Sequence, residues 1–412
     1  MADSFRAVKV TDHVYWVGAI DWGIRDFHGY ATHRGSTYNA YLVVGEKTAL
    51  IDTVKAPFVE ELLARIGTVV PPERIDYVVS NHAEMDHSGG LPAVIAAIRP
   101  EQVFASTMGV KALREHFRLG REVTAMKDGE SLRLGNLTLS FVEARMLHWP
   151  DSMMTYLAED KTLLSNDAFG MHLASSERFA DEIEDGVLAE EAAKYYANIL
   201  LPLSPLVGRL LEKVGKLGIE IEMIAPSHGP IWRREVEKPV GWYAKWAAGE
   251  TSNKAVVMYD TMWQSTATMA RAIAEGIAAG GASAKMMPLR AAHRSDVATE
   301  LLDAGALVIG SPTLNNGVFP TVADALSYLK GLKPRGLIGA AFGSYGWSGE
   351  AVGQIEEAME AMKVELVGEG IKVKYVPDEE SLSRCLSAGR GIAERLSAKA
   401  QGRGDSGLRG AG

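Results

Sequence analysis

Ser80-Asn81-His82-Ala83-Glu84-Met85-Asp86-His87-Ser88-Gly89-Gly90 is the stretch on which the fold turns. His82, Glu84, Asp86 and His87 are four potential metal ligands within six positions, and they directly follow the apolar run Tyr77-Val78-Val79. A glycine pair and a helix-like stretch from Leu91 come next. A strand that ends in a ligand-dense loop holds side chains rigid on one flank and leaves them free to converge on the other. A solvated acidic turn needs no such placement and would ordinarily carry Lys or Arg. The residue types and spacing therefore point to metal ligation.

Three more candidate ligands lie where strands are expected to end: His148 after 137–147, Asp167 after 162–165 and His228 after 221–225. Seven ligands exceed the needs of one four-coordinate zinc. They suit two metals roughly 3.5–4 Å apart with a carboxylate between them. Asp167 is the natural bridge, since the other six divide into two sets of three. Asp52, ending Ile51-Asp52-Thr53, is placed to orient a ligating imidazole. His13, His33, His116 and His293 read as bystanders, and His172 falls in neither class.

Outward from this loop the chain divides in two. The first half is β-rich: strand signals at 8–20 and 38–53, a helix-like segment at 57–67, the ligand strand at 75–80, then helix, strand and helix at 91–98, 102–106 and 108–117. Short strands follow to 147, and 180–217 is helical by composition. This predicts two sheets covered by helices. From Ala255 strand and helix alternate cleanly. Strands are expected at 255–260, 284–289, 306–311, 337–343 and 371–376, with helices at 266–279, 296–303, 321–331, 349–363 and 379–399. Five such units imply a parallel sheet with helices on both faces. The expected domains are 1–250 and 254–399, followed by a Gly- and Arg-rich tail, 400–412, expected to be disordered.

Bulk properties exclude several classes. A net charge of −9 argues against a nucleic-acid partner held by phosphate attraction. The single cysteine, Cys385, rules out an intrachain disulfide or a four-cysteine iron centre within the chain. There is no apolar signal core at the N-terminus and no run of the ~18 apolar residues that a membrane span needs. The cytoplasm is the expected location.

Three loops of the second half share one chemistry. Thr261-Met262-Trp263-Gln264-Ser265-Thr266 joins the first strand to its helix, and hydroxyls at a helix N-terminus favour a phosphate. No Walker-type lysine and no G-x-G-x-x-G accompany it. The loop is similar to the phosphate loop of flavodoxins, with Thr261 and Thr266 as the matching outer hydroxyl residues and Trp263-Gln264 where Thr-Gly is usual. Pro312, Thr313, Leu314 and Asn315 follow the third strand; Ser344, Tyr345, Gly346, Trp347, Ser348 and Gly349 follow the fourth. Ligands of such sheets bind beyond the carboxyl ends of the strands. Tyr345 and Trp347 would offer flat apolar partners to an isoalloxazine, so FMN is the expected cofactor.

The pattern His-x-Glu-x-Asp-His, followed by His148, Asp167 and His228, resembles the metallo-β-lactamase-like domain of the flavodiiron proteins (A-type flavoproteins). Hydrolases of that fold carry His where this chain has Glu84, and a second hard carboxylate moves the site toward iron. The resemblance implies an N-terminal αββα sandwich and a flavodoxin-like five-stranded domain. It also implies iron held by His82, Glu84 and His148, a second iron held by Asp86, His87 and His228, and Asp167 bridging them. His28 and Tyr196 look like family residues near the open face of the metals. The implied activity is reduction of O₂ to water, of NO to N₂O, or both, with electrons from FMN. A small donor such as rubredoxin and a head-to-tail homodimer or dimer of dimers are expected. No further domain is expected after the flavodoxin-like part, which makes this the minimal two-domain type. The rival reading is a metal-dependent hydrolase with an appended flavodoxin module. A pure electron-transfer protein with a structural metal domain is a second.

Overall fold

A computed structural model describes the backbone of residues 5–408 and the side chains of 5–399. Contacts group it into two units, the first comprising the chain up to 28, 32–195 and 205–244, the second 29–31, 196–204 and 245 onward. Among the described residues no helix is long and apolar enough to cross a membrane.

The first unit is built on two sheets. One has the order Val8–Lys9, Val14–Trp16, Tyr41–Val44, Thr48–Ile51, Tyr77–Ser80, Gln102–Ser106, Thr124–Met126. Its pairings are antiparallel up to Thr48–Ile51 and parallel beyond. The other runs Ser131–Arg133, Thr138–Glu143, Met153–Leu157, Thr162–Asn166, Met223–Pro226. Alternation sorts the side chains. Val43, Ile51, Val79 and Phe104 meet Leu139, Phe141, Leu157, Leu164 and Ala225 between the sheets. Their neighbours Leu42, Leu50, Val78 and Val103 pack on Leu62, Ile66, Leu91, Val94 and Leu113 of the flanking helices. On the far side of the second sheet Met154, Leu163 and Ile224 are buried too, which completes an αββα sandwich.

One expectation shifts. The strand expected to deliver His148 stops at Glu143, and His148 rides instead on a turn in which Leu147 N–H donates to Ala144 O. The stretch 180–217 is helical, as expected, but in several segments. Helices Asp185–Tyr195 and Ser204–Lys216 are separated by a wide turn, Tyr196–Leu200, and a tight one, Leu201–Leu203. Pro202 and Pro205 remove the amide donors that a continuous helix would need.

The second unit is an all-parallel sheet ordered Ser283–Pro288, Lys254–Tyr259, Ala306–Gly310, Ile338–Tyr345 and then two short strands. Glu365–Leu366 and Ile371–Lys374 share the fifth place, both paired to Ile338–Tyr345. Gly368, at φ +74°, breaks the strand between them. Helices Ser265–Ala279 and Glu379–Leu408 cover one face. They cross backbone to backbone, since a Cβ on Gly276 would lie 2.1 Å from Leu386 O and one on Gly389 2.1 Å from Ile273 O. The closing helix continues into the tail expected to be disordered, and 409–412 lie outside the described residues. The segments 29–31 and 196–204 join this unit through contacts no linear boundary can express: Ala31 N–H donates to Ser295 Oγ at 3.2 Å, Asn198 Nδ2 to Ser295 O at 3.1 Å and Tyr328 Oη to Asn198 Oδ1 at 2.8 Å.

Candidate metal centre and cofactor pocket

All seven candidate ligands converge in the first unit. His82, Glu84, His148 and Asp167 form one group whose ligand atoms lie within 4.8 Å of one another; Asp86, His87 and His228 form a second. The strand Tyr77–Ser80 delivers His82, Glu84 caps the single turn Met85–Ser88, and that turn carries Asp86 and His87. Asp167 and His228 follow the neighbouring strand ends Asn166 and Pro226. Asp167 divides its oxygens between the groups. Oδ2 lies 3.6 Å from His82 Nε2 and 3.4 Å from His148 Nε2, whereas Oδ1 lies 3.1 Å from His87 Nε2 and 3.6 Å from His228 Nε2.

Within this cluster His82 Nε2 lies within hydrogen-bond reach of Glu84 Oε2, at 3.3 Å, but other ligand atoms approach without bonding. Both oxygens of Asp86, both of Asp167 and both ring nitrogens of His87 are buried and lack a hydrogen-bond partner. Buried polar atoms are ordinarily paired. A set that faces common points instead is the geometry of cation ligation, and its mixed imidazole and carboxylate donors fit iron.

The electrostatics agree. Burial pulls His82, His87 and His148 down, but the carboxylates outweigh it. Hydrogen bonds with Asp151 and Glu84 raise His82 to about 10, the charges of Asp86 and Asp167 raise His87 to about 9, and Asp167 with Glu84 raises His148 to about 10. Burial alone would raise Glu84, Asp86 and Asp167, yet the neighbouring histidines hold all three below the usual carboxylate range. In the protein alone, protons on imidazoles supply the positive charge that metal ions would supply.

The supporting residues differ from expectation. Asp52 takes the Asn81 N–H at 2.7 Å, so it holds the loop backbone rather than an imidazole. The carboxylate that meets a ligand imidazole is Asp151, 3.1 Å from His82 Nδ1. His28 Nε2 lies 3.2 Å from Glu84 Oε1, with its side chain 75% exposed. The Tyr196 hydroxyl donates to Ser204 at 3.1 Å and its ring packs on Trp246. Its neighbour Tyr195 has its ring centroid 5.2 Å from His172 and 6.2 Å from His228. His172 is a buried packing partner of His228, with centroids 4.6 Å apart and Nδ1 2.8 Å from Ser36 Oγ. Burial holds it well below the ordinary imidazole range, helped by the His228 charge. His13 pairs with Asp160 and His293 with Ser295.

The loops at the carboxyl ends of the second unit's strands enclose a cavity of about 450 Å³. Met262, Trp263, Ser265, Pro312, Thr313, Leu314, Asn315 and the run Ser344-Tyr345-Gly346-Trp347-Ser348 line it. Thr261, Gln264, Thr266 and Gly349 do not. Gln264 precedes the helix at φ +70°, and Thr266 is fully buried with its hydroxyl 2.9 Å from Ser344 Oγ. Asn316, Tyr375 and Val376 also line the cavity and were not anticipated. The last two follow the final strand, the position the other loops already occupy.

Comparisons with known proteins match this architecture. The family model described as ODP family beta lactamase covers residues 37–229, and the flavodoxin model covers 257–389. A nitric oxide reductase of Moorella thermoacetica is 48% identical over 395 residues, 95% of this chain and 99% of that protein. The solved rubredoxin oxygen:oxidoreductase of Desulfovibrio gigas superposes with a TM-score of 0.94 at 44% identity, covering 96% of this chain and 100% of the other. The flavodiiron protein of Giardia intestinalis does so with a TM-score of 0.93 at 35% identity, over 95% and 97% of the two chains. The chain belongs to the flavodiiron proteins. As a flavodiiron protein it is an oxidoreductase, with FMN and a pair of iron ions as cofactors. The hydrolase reading gives way to this one.

Proposed function

We propose that this flavodiiron protein reduces O₂, NO or both, drawing electrons through FMN from a small carrier of the rubredoxin type. The relatives' names cover both gases and include rubredoxin. His82, Glu84 and His148 hold one iron, Asp86, His87 and His228 the other, and Asp167 bridges them. The supporting observation is the division of the Asp167 oxygens between the two histidine sets. When bound, FMN supplies electrons singly and the iron pair supplies the place where the gas is reduced. The protein's own part is to hold donor atoms in a dry, charge-matched cluster. His28 handles protons at its edge, a role supported by its exposure and its 3.2 Å approach to Glu84 Oε1. The FMN site is the cavity between Trp263, the Pro312–Asn315 loop and the Tyr345–Trp347 loop. The protein acts in the cytoplasm, where single free cysteines are ordinary.

The test is metal and flavin analysis, followed by O₂ and NO consumption by the chemically reduced protein. Two irons and one FMN per chain with turnover of either gas are expected; zinc without flavin overturns the reading. A head-to-tail dimer, read from the family resemblance, predicts partial rescue when an Asp167→Ala chain is mixed with a flavin-deficient one.

A further inference from the structure

The two halves of the ligand cluster differ in what stands behind them. Asp151 Oδ2 lies 3.1 Å from His82 Nδ1 and accepts the Ala83 N–H at 2.7 Å. Asp151 is only 2% exposed. Its main-chain oxygen accepts from the Ser106 hydroxyl at 2.7 Å, and Ser106 Oγ in turn accepts the Gly109 N–H at the start of helix Thr107–His116. Asp151 is therefore held both at its carboxylate and at its main chain. Behind His228 stands a neutral group: Nδ1 lies 2.6 Å from the main-chain oxygen of Thr37, with the Ser36 hydroxyl at 3.4 Å. His87 Nδ1 has no hydrogen-bond partner.

A carboxylate behind an imidazole fixes the proton on Nδ1, turns Nε2 outward as the donor and makes that donor more basic. A neutral carbonyl fixes the tautomer without adding charge. We infer that Asp151 is a positioning residue that makes the two metal positions unequal, so that in the half-reduced centre the ferric ion sits at the His82 position. This rests on the reading that His82, Glu84 and His148 share one iron.

The geometry allows charge and hydrogen bonding to be separated, because a single Asp151 oxygen receives both bonds. In Asp151→Asn the amide oxygen can keep both while the charge is lost. The experiment compares the unaltered protein, Asp151→Asn and Asp151→Ala by iron content, by redox titration and by Mössbauer spectra of the half-reduced form. Asp151→Asn is expected to keep two irons but to shift the first midpoint to higher potential and to change the ferric signature. Asp151→Ala is expected to weaken iron at that position ~10–100-fold and to lose one of the two ions on dialysis. Unchanged midpoint and spectra in a fully loaded Asp151→Asn protein overturn the inference. Fewer than two irons in the unaltered protein would overturn the underlying assignment instead, so the two failures are told apart.

Discussion

The metal centre and the flavin pocket solve opposite problems. The centre is largely buried: His82, Asp86, His87, Asp167 and His228 are each no more than 3% exposed, with only Glu84 and His148 somewhat more open, and several of the polar atoms have no hydrogen-bond partner. The pocket is open, walled by Trp263 at 89% and Trp347 at 87% exposure, and Ser344 in its lining is bonded to the buried Thr266. Cations bind by replacing charge that buried carboxylates and imidazoles otherwise lack. A flat organic cofactor binds by covering apolar walls. Changes to the centre should therefore act almost all-or-none, and changes to the pocket should be graded.

The largest effect should come from Asp167→Ala. It removes a side chain that faces both histidine sets, and leaves His82, His87, His148 and His228 without that shared counter-charge. Iron content should fall toward zero and gas reduction by at least ~100-fold, while FMN content stays as before. Iron analysis and absorbance of the purified variant check both parts. Retention of both irons would break that contrast, since the centre would then tolerate the loss of its shared carboxylate.

How much of this was legible in the sequence follows the same contrast. The ligands were, because His, Asp and Glu gathered at strand ends have few other uses, and period-two alternation placed their strands except the one before His148, which stops at Glu143. The βα rhythm exposed the second unit equally well, although not the gap that Gly368 puts in its last strand. The supporting residues were harder. Asp151 reads as an ordinary turn residue three positions after His148, and only folding turns it to His82. Tyr195 and Tyr196 are adjacent, and a helical step of about 100° sends them to different surroundings. The helix also widens at Tyr196, so the α-helical register cannot be carried through it. Tyr375 and Val376 belong to the cofactor cavity by topology, in a stretch without the Ser, Thr, Asn or Gly that marks the other three loops.

Pocket changes sharpen the comparison from the other side. Trp347→Ala removes an exposed indole wall without touching a buried polar group. An aromatic contact of this kind is worth about 1 kcal/mol, so FMN should bind roughly 5–10-fold more weakly. Fluorescence titration of the apoprotein measures this, and iron content should not move. A complete loss of FMN binding would show that the pocket behaves as the centre does.

The smallest effect on cofactor binding is expected from Thr266→Val. Resemblance to flavodoxins makes Thr266 a phosphate ligand, yet its hydroxyl is fully buried, bonded to Ser344 Oγ at 2.9 Å and absent from the cavity wall. Valine keeps the shape and leaves the Ser344 hydroxyl without that partner, which costs about 1 kcal/mol of stability. Denaturant unfolding of the apoprotein should report that loss, with FMN affinity weakened less than by Trp347→Ala. If affinity falls further than in Trp347→Ala, the Thr266 hydroxyl must leave Ser344 for the phosphate when FMN binds. The pocket would then contain one switched polar contact, and its graded behaviour would hold only for the aromatic walls.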